Sequence, residues 1–164
     1  EDSSITLAVL SKGDFFGEMA ILDESPRSTD VVAMTAVKLM SIPAQRFIQT
    51  LFKDPQLHHR LLQLMVQRLR QTNLRFQLRH QPPAVKLANT LTAIQAAYGE
   101  SVEDGVELLN IPRKDLADLA DITPDEAEKI MVKLIEKGWI VEDEPRSLLR
   151  LKNIRQLAHL AGRL

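Results

Sequence analysis

The 164-residue sequence predicts an α+β protein in three parts, and three patterns predict it. Ile5 to Leu10, Val31 to Ala33 and Val37 to Ile42 are short apolar runs set off by turn residues, as in a β portion. From Pro55, apolar residues recur at steps of 3 and 4 along one long helix. Beyond residue 110, two helical patterns meet at a tight turn and lead into a hairpin pattern, the order of a winged helix-turn-helix.

Taken in order, Ser11-Lys12-Gly13-Asp14 reads as a turn and Phe15-Phe16 resumes an apolar segment. Four or so short strands cannot close a barrel, because a barrel pairs every edge, so further strands are expected upstream of Glu1. Pro43 to Leu51 predicts a short helix with Phe47, Ile48 and Leu51 on one face. Asp54 caps the long helix, and Pro55 suits its first turn. Within that helix Leu62, Met65, Leu69, Thr72 and Phe76 keep the 3,4,3,4 spacing of a coiled-coil seam. A second stripe of Leu57, Leu61 and Leu64 can face the β portion. Each seam side chain buried between two helices contributes roughly 1.5–3 kcal/mol, so the pattern implies a homodimer.

Gln81-Pro82-Pro83 ends the helix and marks a boundary, giving parts at 1–53, 54–81 and 82–164. Ala84 to Tyr98 predicts a helix stopped by Gly99, and Glu100 to Asn110 a polar loop with a short strand at Val106 to Leu109. Arg113 to Ala120 is the first helix of the pair, and small Ala117 allows a close crossing. Thr123-Pro124-Asp125-Glu126 starts the second with a cap, a proline at the first position and a capping-box glutamate. Trp139 to Glu142 and Leu148 to Lys152 form the hairpin, and Asn153 to Leu164 a last short helix.

Composition narrows the classes. With 45% hydrophobic and 26% charged residues the chain is of globular type, and it holds neither a bilayer-length apolar run nor a signal-peptide pattern. The cytoplasm is therefore the expected location. Zero cysteines exclude disulfides, thiolate metal sites and a cysteine nucleophile. His58 and His59 are adjacent, so they do not share the helix face that a chelating pair needs. Neither a Ser/His/Asp ordering nor a Gly-rich loop with its lysine is present, and no metal or enzymatic activity is expected.

Gly13 to Ala33 brings together donors and an acceptor suited to an anionic sugar. The segment around Gly17 and Met19 can turn successive backbone N–H groups into one concavity. Arg27 offers a planar fork of donors, Ser28 a hydroxyl, and Glu18 an acceptor suited to a ribose hydroxyl. Phe-Gly-Glu-Met-Ala (residues 16–20) followed by Pro-Arg-Ser (residues 26–28) resembles the phosphate-binding cassette of cyclic-nucleotide-binding domains, specifically that of the bacterial cyclic-AMP receptor (Crp/Fnr) family. The resemblance puts Glu18 on the ribose 2′-hydroxyl and Arg27 and Ser28 on the cyclic phosphate. It also makes the β portion a truncated cyclic-nucleotide-binding jelly roll and the long helix a dimerisation helix. In that family a threonine and a following serine on the dimer helix bond the adenine edge. Thr72 matches the first and Asn73 departs from the second, although its amide both donates and accepts. A register-fixing polar seam position is the structural alternative for this pair.

The winged helix also departs from the family pattern. The family's second helix opens Ser-Arg-Glu-Thr with another arginine one turn on, whereas this chain has Thr123-Pro124-Asp125-Glu126 and Lys129. The bidentate arginine-to-guanine contact is lost at Pro124. Asp125 and Glu126 are acceptors, and Lys129 and Lys133 can reach guanine or phosphate as point charges. Arg113, Lys114 and Arg146 are better phosphate candidates. Residues 84–164 carry 11 Lys+Arg against 14 Asp+Glu, so DNA binding is expected to be weak.

The resemblance implies a homodimeric transcription regulator with cyclic AMP as effector, a palindromic promoter site as target and RNA polymerase as a further partner. It implies no membrane. Two alternatives stay open: a ligand-sensing protein whose winged helix binds another protein, and the regulatory domain of an enzyme.

Overall fold

The computed structural model describes residues 4–163. Two units are distinguished by their internal contacts: residues 12–72, and residues 73–163 together with residues 4–11.

The first unit holds α1 (Met19–Leu22), α2 (Ala44–Lys53) and most of α3 (Pro55–Gln77). The α2 face predicted from Phe47, Ile48 and Leu51 meets Leu61 of α3 in a small core that Phe15, Ile21, Leu57 and Met65 complete. The Phe15 and Phe47 rings lie 5.3 Å apart and tilted. Asp54 caps α3 as its position predicts, its Oδ1 accepting from the N–H groups of Gln56 (2.9 Å) and Leu57 (3.1 Å). Met65, read as a seam residue, packs into this core instead. Leu62, Leu69 and Phe76 are 59%, 60% and 73% exposed.

The strands predicted at Ile5 to Leu10, Val31 to Ala33 and Val37 to Ile42 do not form among the described residues. A strand exists only as half of a hydrogen-bonded pair, and no described segment is laddered to these three. Most of their apolar side chains, Val32, Leu39 and Met40 among them, stay exposed, whereas Val9 is half-buried against the core of the second unit.

The second unit contains a one-turn 3₁₀ helix (Leu78–His80), α4 (Pro83–Tyr98), β1 (Glu100–Val102), β2 (Gly105–Leu109), α5 (Arg113–Ala120), α6 (Pro124–Glu136), β3 (Ile140–Asp143), β4 (Leu148–Leu151) and α7 (Ile154–Leu160). Its antiparallel sheet runs β1-β2-β4-β3. β1 falls in the stretch read as a polar loop, because Glu100 and Ser101 are exposed and leave no alternation to detect. What creates it is Gly105, whose φ of +118° turns the chain. A Cβ there would sit 2.2 Å from the carbonyl oxygen of Leu151, so only glycine lets β2 approach β4 at this point.

The core of this unit joins Leu87 and Leu91 of α4, Leu116 of α5, Met131 of α6, and Ile140, Leu149 and Leu151 of the sheet. Ala117 is fully buried, as a close helix crossing requires. Asp121, in the left-handed region at φ +54°, ends α5, and Lys86 Nζ fastens that turn by donating to the Asp121 carbonyl at 2.9 Å. The capping box at Thr123 and Glu126 forms in both directions. Residues 4–11 lie on this unit: Thr6 N donates to Asp118 Oδ2 at 2.9 Å, and Tyr98 donates its hydroxyl to the Val9 carbonyl at 2.8 Å.

Candidate functional site

Glu18 is the buried acid of the first unit, 1% exposed. The single turn α1 starts immediately after it, and its own carbonyl accepts from Ile21 N and Leu22 N. A carboxylate is held there only if its charge is met. Arg68 of α3 meets it, with Nη1 on Glu18 Oε1 and Nη2 donating to the Phe15 carbonyl at 2.6 Å. The other oxygen, Oε2, is buried with no hydrogen-bond partner among the described residues. Such an orphaned acceptor costs about 1–3 kcal/mol until a donor reaches it.

Gly17 sits at φ +84°, and Arg27 folds back so that its Nη1 donates to the Gly17 carbonyl. A Cβ at position 17 would stand 2.6 Å from that nitrogen, so the bare glycine is what lets the guanidinium lie against the turn. Arg27 is thus held at the residue next to Glu18. Ser28 and Met19 are exposed nearby in sequence, and Ser28 follows Arg27 on the same loop. Thr72 is exposed one turn beyond Arg68 and donates to the Arg68 carbonyl at 3.1 Å. Asn73, the next residue of α3, is exposed.

Arg68 is the residue that reading the sequence misses. Its signal was available: it lies four residues before Thr72, hence on the same helix face. Among the other arginines of α3 nothing else distinguished it from a solvated charge.

In the second unit, α5, α6 and the β3–β4 turn carry the residues expected at DNA. Arg113 donates from Nε to Glu128 at 2.8 Å and from Nη2 to Glu142. Lys114 bonds the Ser4 carbonyl at 2.7 Å and lies 4.0 Å from Asp118. Lys129 pairs with Asp125 at 2.6 Å, and this bond raises its pKa. Arg146 forks onto Glu107 at 3.2 and 3.3 Å. Thr123 and Glu126 are occupied by each other, and the Thr123 N–H, followed by its hydroxyl, lowers the Glu126 carboxyl. Lys133 has no ion pair among the described residues and is exposed. Every other cation expected at phosphate already faces a carboxylate, because this half of the chain has more acids than bases.

No group of three or more potential metal ligands is found among the described residues, and no helix is long and apolar enough to cross a membrane.

These features define a class: a winged-helix domain preceded by a glycine-turn cassette with a buried, half-satisfied carboxylate. Residues 1–54 match the cyclic nucleotide-binding domain family, and residues 85–160 match the Crp-like helix-turn-helix domain family. Both matched domains are those of the Crp/Fnr family, to which the chain belongs. It is 28% identical over 136 residues to the cyclic AMP receptor protein of Thermus thermophilus, an alignment covering 82% of this chain and 60% of that one. Over 37 residues it is 51% identical to the cAMP-dependent protein kinase regulatory subunit of Colletotrichum orbiculare, covering 23% of this chain and 10% of that one. The fold is similar to that of a CooA variant from Carboxydothermus hydrogenoformans, with a TM-score of 0.62 and 14% identity over 71% of this chain and 54% of that one. The chain spans about three fifths of the length of the full-length curated relatives it matches.

Proposed function

We propose that this chain is the effector-sensing and DNA-binding part of a cyclic-nucleotide-responsive transcription regulator, with cyclic AMP as the effector. The observation that carries the reading is the free, buried Oε2 of Glu18. A ribose hydroxyl is a neutral donor of the right size to satisfy it. Arg27 and Ser28 supply the charge-assisted contacts for the cyclic phosphate, with Gly17 and Met19 in the turn that receives it. Two relatives named for cyclic AMP support the choice of nucleotide.

Coupling to the rest of the molecule runs through Glu18. The same carboxylate that accepts from the ligand holds Arg68 on α3, so a bound nucleotide alters the hold on that helix. Thr72 and Asn73 on α3 are the adenine contacts. Leu62, Leu69 and Phe76 on the exposed side of α3 pair with a second copy. A ligand shifts an equilibrium only by its differential affinity for the two states, and a swing from 1:99 to 99:1 needs roughly 10⁴-fold.

The regulator acts in the cytoplasm on promoter DNA, which a symmetric dimer reads as a palindrome, with RNA polymerase as a further partner. Arg113, Lys114, Lys129, Lys133 and Arg146 provide the phosphate contacts. Asp125 on α6, once released by Lys129, accepts from a cytosine amine. The ion pairs on four of those five cations favour a second reading, in which the winged helix binds a protein. Duplex affinity measured against salt separates the two: a flat dependence with and without nucleotide removes the DNA reading.

Arg27→Ala tests the cassette. Calorimetric titration of the full-length protein with cyclic AMP is expected to lose about 3 kcal/mol or more, over a hundred-fold in Kd, while the dimer persists. Unchanged binding overturns the assignment.

A further inference from the structure

Glu107 is the middle residue of β2 and faces away from the core, between the buried Val106 and Leu108. Arg150 of β4 stands directly across the ladder from it. Its Nε and Nη2 donate to Glu107 Oε1 at 3.1 and 2.5 Å. Arg146, in the turn at the tip of the hairpin, places one Nη on each oxygen of the same carboxylate, and its Nη1 also lies 3.6 Å from Asp143. One largely enclosed glutamate thus holds two guanidiniums that differ in exposure: the Arg146 side chain is 57% exposed and that of Arg150 34%.

We propose that Glu107 is a positioning residue that limits how many phosphates the wing can neutralise. It acts as an internal stand-in for phosphate. A fork of donors that already satisfies a carboxylate gains little by exchanging it for a phosphate oxygen, and the exchange leaves Glu107 facing the polyanion. Arg146 and Arg150 then add less to affinity than their number suggests. The hairpin tip is held in one geometry while they are bound. Discrimination against random DNA follows, because non-specific binding comes from phosphate neutralisation while contacts to base edges do not depend on these two arginines. The functional meaning rests on the DNA-binding reading, but the competition itself applies to any polyanion.

The experiment uses the full-length protein, heparin as a general polyanion and a random-sequence duplex titrated at several salt concentrations. Glu107→Gln removes the competing charge. Glu103→Gln, in the exposed turn before β2, makes the same change in net charge at a carboxylate that pairs with no arginine among the described residues. Glu107→Asp keeps the charge but is one methylene too short to span both arginines. E107Q is expected to elute from heparin at higher salt than E103Q and to steepen the duplex salt dependence by about two phosphates' worth. E107D is expected to move the same way by about half as much with no change in net charge, a shift that misfolding cannot mimic. Adding Arg146→Ala to E107Q removes about one of the two. Equal behaviour of E107Q and E103Q, or wild-type behaviour of E107D, overturns the proposal. If heparin retention rises as expected while no variant binds duplex, Glu107 keeps its role toward polyanions and the DNA reading falls.

Discussion

Arg68 shows what one side chain contributes when its partner is buried. Glu18 has almost no contact with solvent, and Arg68 supplies the charged group that meets Oε1. Replacing Arg68 with methionine keeps much of the stem packing and removes the charge. The buried carboxylate is then uncompensated, and the loss is on the order of 3 kcal/mol by analogy with broken buried pairs. Thermal unfolding of R68M against the R68M/E18Q double variant checks it: the second change should restore most of the lost stability, since it removes the stranded charge. Equal losses in both would show that Arg68 acts through packing alone. The acid and its neighbours were legible in the sequence because Gly17, Glu18, Arg27 and Ser28 fall within one short stretch of chemically coherent residue types. Arg68 was only half legible: its place four residues before Thr72 marks the helix face, but the contact joins residues 50 positions apart and nothing in the helix names Glu18 as the partner.

At the scale of elements, legibility follows how local the determining interactions are. The start of α6 was readable to the residue, since Thr123, Pro124 and Glu126 specify it through bonds within one turn. The cap of α3 at Asp54 was readable for the same reason. The strands expected before residue 43 were misread because a short apolar run signals surface to be covered, while a ladder also needs a neighbour at the right register. In α3 the long helix forms where it was read, but Met65, read as a seam side chain, turns into the small core, while Leu62 and Leu69 stay outside. That division makes the dimer testable without disturbing the fold. Leu62→Lys with Leu69→Lys removes four apolar side chains per dimer, at least about 6 kcal/mol and so about ten-thousand-fold in Kd. Sedimentation should show the wild type as a dimer and the variant as a monomer with unchanged helix content. Identical sedimentation of the two would remove α3 as the interface.

Across the whole molecule, the second unit is stabilised on its surface by charges whose affinities for protons differ from their ordinary values, and this sets a pH window. Glu107 is held below the ordinary glutamate value of 4.5, first by the Arg150 hydrogen bond and then by Arg146. Glu126 is held below 4.5 by the N–H and hydroxyl of Thr123. A carboxyl that binds protons less readily when folded contributes stability above its unfolded value and loses it as pH falls through the folded one. Lys129 has the opposite sign. Its bond to Asp125 raises it above 10.5, so its contribution is complete below that value and is lost as pH rises through the folded one. The three together predict a plateau between about pH 5 and pH 10 with a decline on either side. All three sit near solvent, so the acid-side decline should shrink as salt rises. Unfolding midpoints of the wild type and of an E107Q/E126Q variant, followed from pH 7 to pH 3, carry the test. The wild type should lose stability faster below pH 4.5, and the two curves should converge once both carboxyls are protonated. Parallel curves through that range would mean that the wing and the cap do not draw stability from these carboxylates, and the case for Glu107 as the holder of two arginines would weaken with them.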